Sequence, residues 1–168
     1  MSFNHSPQAV RNIGKPSSPL WIVTLAPTQQ DHKSGFAFSA GTAWLLREAF
    51  QYTDFDFREA RCHQIIPHLP PLGKPEAWLI PKKDLLAEYN QYAHLLGPIE
   101  NKYLNPGLLP WVAALQAELE QHQPSTILAL GSYTSRILAG VSKIGQARGA
   151  LYDCQICPGV KVIPTYTP

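Results

Sequence analysis

Apolar residues in this chain fall into short blocks separated by polar, proline-rich stretches. Leu20 to Leu25 (LWIVTL) is a continuous apolar run bounded by Pro19 and Pro27, which predicts a strand buried on both faces. Ala40 to Phe50 places Ala43, Leu46, Ala49 and Phe50 on one helical stripe, widened by Trp44 and Leu45, as in a helix packed by one side. From Asp54 to Ala60 the rings of Phe55 and Phe57 alternate with charged residues, the pattern of a half-buried strand. A proline-rich loop spans Ile65 to Pro81, and helical periodicity returns at Lys82 to Leu96. After Pro110 the residues Trp111, Leu115 and Leu119 recur every fourth position until Pro124; proline suits a first helical turn and stops a helix that precedes it. Thr126 to Leu130 (TILAL) reads as a second buried strand, Gly131-Ser132 opens a helix to about Ala139, and Tyr152 to Ile163 gives a turn and a final strand.

Strands that alternate with helices predict an α/β fold, a three-layer αβα sandwich around a parallel sheet of about four strands. Residues 1–19, polar and carrying Pro7, Pro16 and Pro19, form an arm laid over the surface or a lead-in without fixed structure. Residues 20–168 are the domain.

Composition narrows the function classes. The 168 residues are 45% hydrophobic, enough for one domain and cramped for two. Only 15% are charged and the net charge is +2, so neither a basic nucleic-acid tail nor an acidic disordered tract is present. With 16 prolines and 11 glycines, long ordered loops are expected. No apolar run approaches the roughly 20 residues of a membrane helix, and the first residues lack the apolar core of a signal peptide. The chain therefore reads as cytoplasmic, with no membrane partner.

Ligands of open parallel sheets sit beyond the carboxyl ends of the strands, which directs attention to three segments. The loop after Thr24 offers Asp31, His32 and Phe38 within eight positions: a ring to stack on a heterocycle and a carboxylate to orient water or stabilise a cationic sugar. A solvated Asp31 and a core-filling Phe38 would look the same. The Leu130-Gly131-Ser132 turn puts free amides and a hydroxyl at a helix N-terminus, where they suit a phosphate, but it matches neither a Walker loop nor a dinucleotide fingerprint. The third segment is Pro164-Thr165-Tyr166-Thr167-Pro168. Cys154 and Cys157 form a single C-x-x-C whose nearest upstream histidine, His122, is 32 residues away, so no complete zinc site is expected in one chain. A structural role fits the pair, and Cys62 reads as a buried thiol.

Together the three segments resemble the uracil-DNA glycosylase superfamily, most of all its iron–sulfur class and similar domains of phage replication proteins, over residues 20 to 168. The family's G-E-A-P-G opening is matched by Thr24-Leu25-Ala26-Pro27-Thr28. Asp31 takes its acidic position, Gly35 its glycine, Phe38 its aromatic, and Ala43-Trp44-Leu45-Leu46 its helix, without a gap. Thr126 to Ala139 resembles its Leu-Gly strand and helix. Arg148-Gly149 and the closing Val162 to Pro168 resemble the segments that follow, the last matching P-T-Y-H-P. The resemblance implies a four-stranded parallel sheet between helices and a chemistry in which a base is flipped from DNA and its N-glycosidic bond is hydrolysed. Positive charge then develops on the sugar and negative charge on the base.

By that resemblance Asp31 assists water, and Thr167 stands where the leaving-base histidine belongs. Ala26, Pro27, Phe38, Arg58 and Thr165 face the base, while Gly131, Ser132 and Arg148 take DNA phosphates. The departures are pointed. Thr167 cannot be cationic, and Arg58, at the place of the base-reading asparagine, donates without accepting. Cys62 matches one cluster cysteine but the others are missing, so neither an iron–sulfur cluster nor any other cofactor is expected. The family continues with a loop that presses into the minor groove, so that segment lies beyond Pro168 or the wedge is lacking. Two functions follow: a DNA glycosylase for uracil or a modified base, weak or inactive, or a non-catalytic module that binds DNA or a polymerase or other replication protein. An unrelated α/β nucleotide-binding domain is the third reading.

Overall fold

The computed structural model describes residues 3–39 and 41–168. Among the described residues seven strands and six α-helices run in the order β1 (Leu20–Thr24), α1 (Gln29–Ser34), α2 (Gly41–Phe50), β2 (Arg61–Gln64), β3 (Leu79–Pro81), α3 (Ala93–Leu96), β4 (Lys102–Leu104), α4 (Leu109–His122), β5 (Thr126–Leu130), α5 (Ser132–Ala139), α6 (Ile144–Ala147), β6 (Tyr152–Asp153) and β7 (Lys161–Thr165). The central sheet has the order β2-β1-β5-β7-β6. Its first four strands are parallel, and β6 pairs antiparallel with β7. The sheet thus has five strands rather than the four expected; the fifth is a two-residue edge, Tyr152–Asp153, too short to leave a pattern in the sequence. A separate antiparallel pair joins β3 to β4.

The apolar runs fill both faces of the sheet, as continuous runs must. Trp21, Val23, Ile127, Ala129 and Val162 pack on one side with Val112, Leu115 and Leu119 of α4 and Ile137 and Leu138 of α5. Ile22, Cys62 and Leu130 pack on the other with Ala43 and Leu46 of α2, Phe38 and Val10. This is the three-layer arrangement read from the sequence. No helix among the described residues is long and apolar enough to cross a membrane.

Two expected elements differ. The expected strand at Asp54 to Ala60 is a bend and a 3-10 turn at Phe57–Glu59, and the strand itself is the next four residues. Asp56 caps that turn by accepting from the Arg58 N–H. The helix expected over Lys82 to Leu96 is mostly 3-10 turns, with only Ala93–Leu96 α-helical. The helix expected from Ala40 to Phe50 is α2, and its first expected residue, Ala40, lies outside the described residues. The N-terminal residues run as a strap: Ile13 bridges Cys62 on the free edge of β2, Val10 is buried under α2, and the Phe3 ring stacks on Trp78 with centroids 5.1 Å apart.

Candidate functional site

A cavity of about 610 Å³ opens at the carboxyl ends of β1 and β5. Parallel strands deliver their following loops to the same edge of the sheet, so Thr24 to Thr28 after β1, Gly131 to Thr134 after β5, and Tyr166 and Thr167 after β7 share one lining. The opposite wall comes from Gly73, Pro75 and Glu76, with Ile99 and Glu100. Of the residues singled out from the sequence, Ala26, Pro27, Asp31, Phe38, Gly131, Ser132 and Thr167 meet here.

Asp31 is on the wall, yet its carboxylate is fully engaged. It is only 5% exposed. Oδ2 accepts from the Thr28 N–H at 3.0 Å and the Thr28 hydroxyl at 2.9 Å; Oδ1 accepts from the Ser39 N–H at 2.7 Å and the Ser39 hydroxyl at 2.9 Å. Thr28 in turn caps α1 by accepting from the Asp31 N–H, a reciprocal capping box that closes both orphan donors of the first turn. This explains a helix the sequence hid: QQDHKS has no apolar residue, and its ends are fixed by that box and by Gly35 in the left-handed region. A carboxylate with four short donors has no lone pair left for a water.

Phe38 has φ of 56° and is 3% exposed. A left-handed aromatic residue is strained, and the strain tucks the ring under the cavity against Ile22 and α2. Gly131, at φ 87°, donates its N–H to the Thr165 carbonyl at 2.9 Å. A Cβ there would stand 2.7 Å from Thr167 Oγ1, so glycine lets the β5 and β7 loops close on each other. Thr165 itself is a half-buried β7 residue off the lining. Arg148 is also off the lining, its guanidinium 5.4 Å from the centroid of the Tyr166 ring.

Arg58 is not at this site. It is exposed and forks onto Asp56, with Nη2 to Oδ2 at 2.7 Å, beside a different depression lined by Arg47 and Phe55. The position expected to hold the base-reading asparagine therefore lies outside this cavity, in the 3-10 turn that precedes β2.

Four residues missed by the sequence reading stand out. Gln64 ends β2, is 1% exposed, and neither its amide oxygen nor its amide nitrogen has a partner. It pairs in register with Thr24, and registered neighbours project to the same face, here the face against which Phe38 packs, although Gln64 itself is off the cavity lining. Thr134 is fully buried on the lining with an unpartnered hydroxyl. Tyr133 donates its hydroxyl toward Glu76 Oε1 at 3.4 Å; burial, reinforced by the Glu76 and Glu100 carboxylates, pushes its phenol up to about 12. The usable signal for Gln64 was a polar residue closing a strand before Ile65-Ile66 and a proline-rich loop; Glu76 and Tyr133 carry none.

The three thiols are buried. Burial raises the Cys62 thiol to about 12 and shifts Cys154 and Cys157 upward as well. Among the described residues no group of three or more histidine, cysteine or acidic side chains is placed to hold a metal ion.

Residues 11–168 match the family model described as the uracil DNA glycosylase superfamily. No curated protein matches the chain significantly.

Proposed function

The chain belongs to the uracil-DNA glycosylase superfamily, and on that premise we propose that it binds a base flipped out of DNA in the cavity at the ends of β1 and β5. The single observation that carries this reading is the meeting of Ala26, Pro27, Phe38, Gly131, Ser132 and Thr167, drawn from three distant segments, around one cavity. Phe38 floors the base site. The orphaned amide of Gln64, on the sheet face of Phe38 though off the lining, has the paired donor and acceptor that Arg58 lacks. The Ser132 amide at the start of α5 and the Arg148 guanidinium take phosphates of the strand; the Gly131 N–H, expected to join them, is committed to the Thr165 carbonyl.

Hydrolysis of the N-glycosidic bond of uracil is slow or lost in this reading. Thr167 offers a hydroxyl where a cationic imidazole would stabilise the leaving base, and Asp31 is committed to Thr28 and Ser39. That second fact favours the related reading of a non-catalytic module, in a cytoplasmic setting, that holds DNA or a replication partner such as a polymerase.

The test is a titration with single- and double-stranded oligonucleotides, with and without an abasic analogue, at two salt concentrations, beside an excision assay on uracil-containing strands. Binding should be weak and fall steeply with salt, since phosphate contacts release counterions. Affinity indifferent to salt would remove the DNA reading, and rapid uracil release would show that Thr167 and Asp31 are no handicap.

A further inference from the structure

The charge inventory of the cavity runs against an anionic leaving group. Glu76 and Glu100 line it with exposed carboxylates, Asp31 adds a third, and among the described lining residues there is no lysine, arginine or histidine. The cation with a contact to the lining is Arg148, and it is already stacked on Tyr166. The aromatic side chains Phe38, Tyr133 and Tyr166 complete the wall. A fully buried residue of the lining, Thr134, also carries a hydroxyl with no partner within the protein. Buried hydroxyls are rarely left so.

Uracil leaves its sugar as an anion, which the Glu76 and Glu100 carboxylates disfavour. A purine alkylated on a ring nitrogen that carries no proton, such as N7 of guanine, is a cation. Aromatic faces and carboxylates attract it, and it needs no cationic side chain to depart. We propose that the base this cavity takes is an N-alkylated, positively charged one, 7-methylguanine being the representative, and that Glu76 and Glu100 select it. The proposal rests on the base-binding reading above. In hydrolysis the water oxygen bonds to C1′ as the C1′–N bond breaks. The bonding pair goes to the cationic ring, which leaves neutral, and the water proton passes through the Glu76 carboxylate to solvent. Thr167 in place of histidine is then no loss, because no negative charge appears on the base.

The experiment compares affinities for one oligonucleotide sequence carrying, at a single position, 7-methylguanine, guanine, uracil or a tetrahydrofuran abasic analogue. The first three are placed on 2′-fluoro-deoxyribose so that none is hydrolysed. The 7-methylguanine strand should bind at least tenfold more tightly than the guanine strand, with uracil no better than guanine. In the double variant Glu76→Gln, Glu100→Gln that ratio should fall below twofold, whereas Glu88→Gln, a charge-matched change on an exposed turn, should leave it intact. Equal affinity for 7-methylguanine and guanine, a preference for uracil, or a ratio indifferent to the double variant overturns the inference while leaving the base-binding reading in place. Failure to bind any strand, the abasic one included, overturns both.

Discussion

Asp31 and Ser39 are joined twice, through the Ser39 N–H at 2.7 Å and its hydroxyl at 2.9 Å, both to Oδ1. One carboxylate therefore ties the start of α1 to the segment that leads into α2 and sets the backbone around Phe38. Removing it takes away a helix cap, worth about 1 kcal/mol, and hydrogen bonds to a charged group worth about 1.5–3 kcal/mol. Asp31→Ala should lower stability by about 2–4 kcal/mol in urea unfolding, and Asp31→Asn by less, since the amide keeps one acceptor. An Asp31→Ala protein that unfolds at the wild-type midpoint would show that the carboxylate is not the clamp described.

Gln64 predicts the opposite sign. Both polar atoms of its amide are buried without partners, a state that costs about 1–3 kcal/mol for each such group. Gln64→Met, which keeps volume and removes the orphans, should leave stability unchanged or raise it by about 1 kcal/mol while weakening binding of base-containing oligonucleotides relative to abasic ones. A large loss of stability would mean that the amide is satisfied inside the protein.

These two residues show how far the sequence could be read. Continuous apolar runs located β1 and β5 almost to the residue, and the Pro110 and Pro124 punctuation bounded α4, because burial on both faces and missing N–H groups leave strong local marks. β2 left none: RCHQ looks like surface, and it is buried only because the N-terminal strap covers its edge through Ile13 and Asn12. Asp31 was legible as a cavity residue but not as a cap, since its partner Ser39 is eight positions away. The wall carrying Glu76 and Glu100 comes from a 3-10 turn and from the tight turn before β4, where Glu100 has φ 49°, and neither has a period to detect.

His63 should make the fold acid-sensitive. Burial, helped by the Arg61 charge, lowers its imidazole to about 3. The ring accepts from the Asn12 amide at 3.0 Å and stacks on Trp21. Glu118 is 3.8 Å from the same nitrogen, but a neutral ring makes no ion pair with it. Below the unfolded value of 6.5 the unfolded chain takes up a proton that the folded one refuses. Stability should therefore fall by about 1.4 kcal/mol per pH unit between about 6.5 and about 3. Chemical denaturation across that window should show the slope, and His63→Gln should flatten it; equal slopes in both proteins would place the sensitivity elsewhere.

The thiols should be inert in the native state. A thiolate is the reactive form, and burial raises all three thiols, so alkylation by iodoacetamide at pH 8 should be slow until denaturant is added and then reach all three cysteines. Rapid labelling of Cys154 or Cys157 in native protein would show that the C-x-x-C turn opens and would reassign that pair to chemistry.

The N-terminal strap is expected to be part of the folding unit. Phe3 stacks on Trp78, the Asn4 carbonyl accepts from Trp78 Nε1 at 2.9 Å, Val10 is buried beneath α2, and the Asn12 side chain accepts from the Gln64 N–H at 2.8 Å while donating to His63. Without these residues β2 becomes a bare edge and Trp78 loses its cover, which invites pairing between chains. Val10→Ala alone should cost about 1–2 kcal/mol from lost apolar burial. Deletion of residues 1–13 should cost more than the point substitution and produce a concentration-dependent rise in mass by light scattering. A deletion variant as stable and as monodisperse as the full chain would show that the domain begins where its first strand does, and that the strap is carried without being needed.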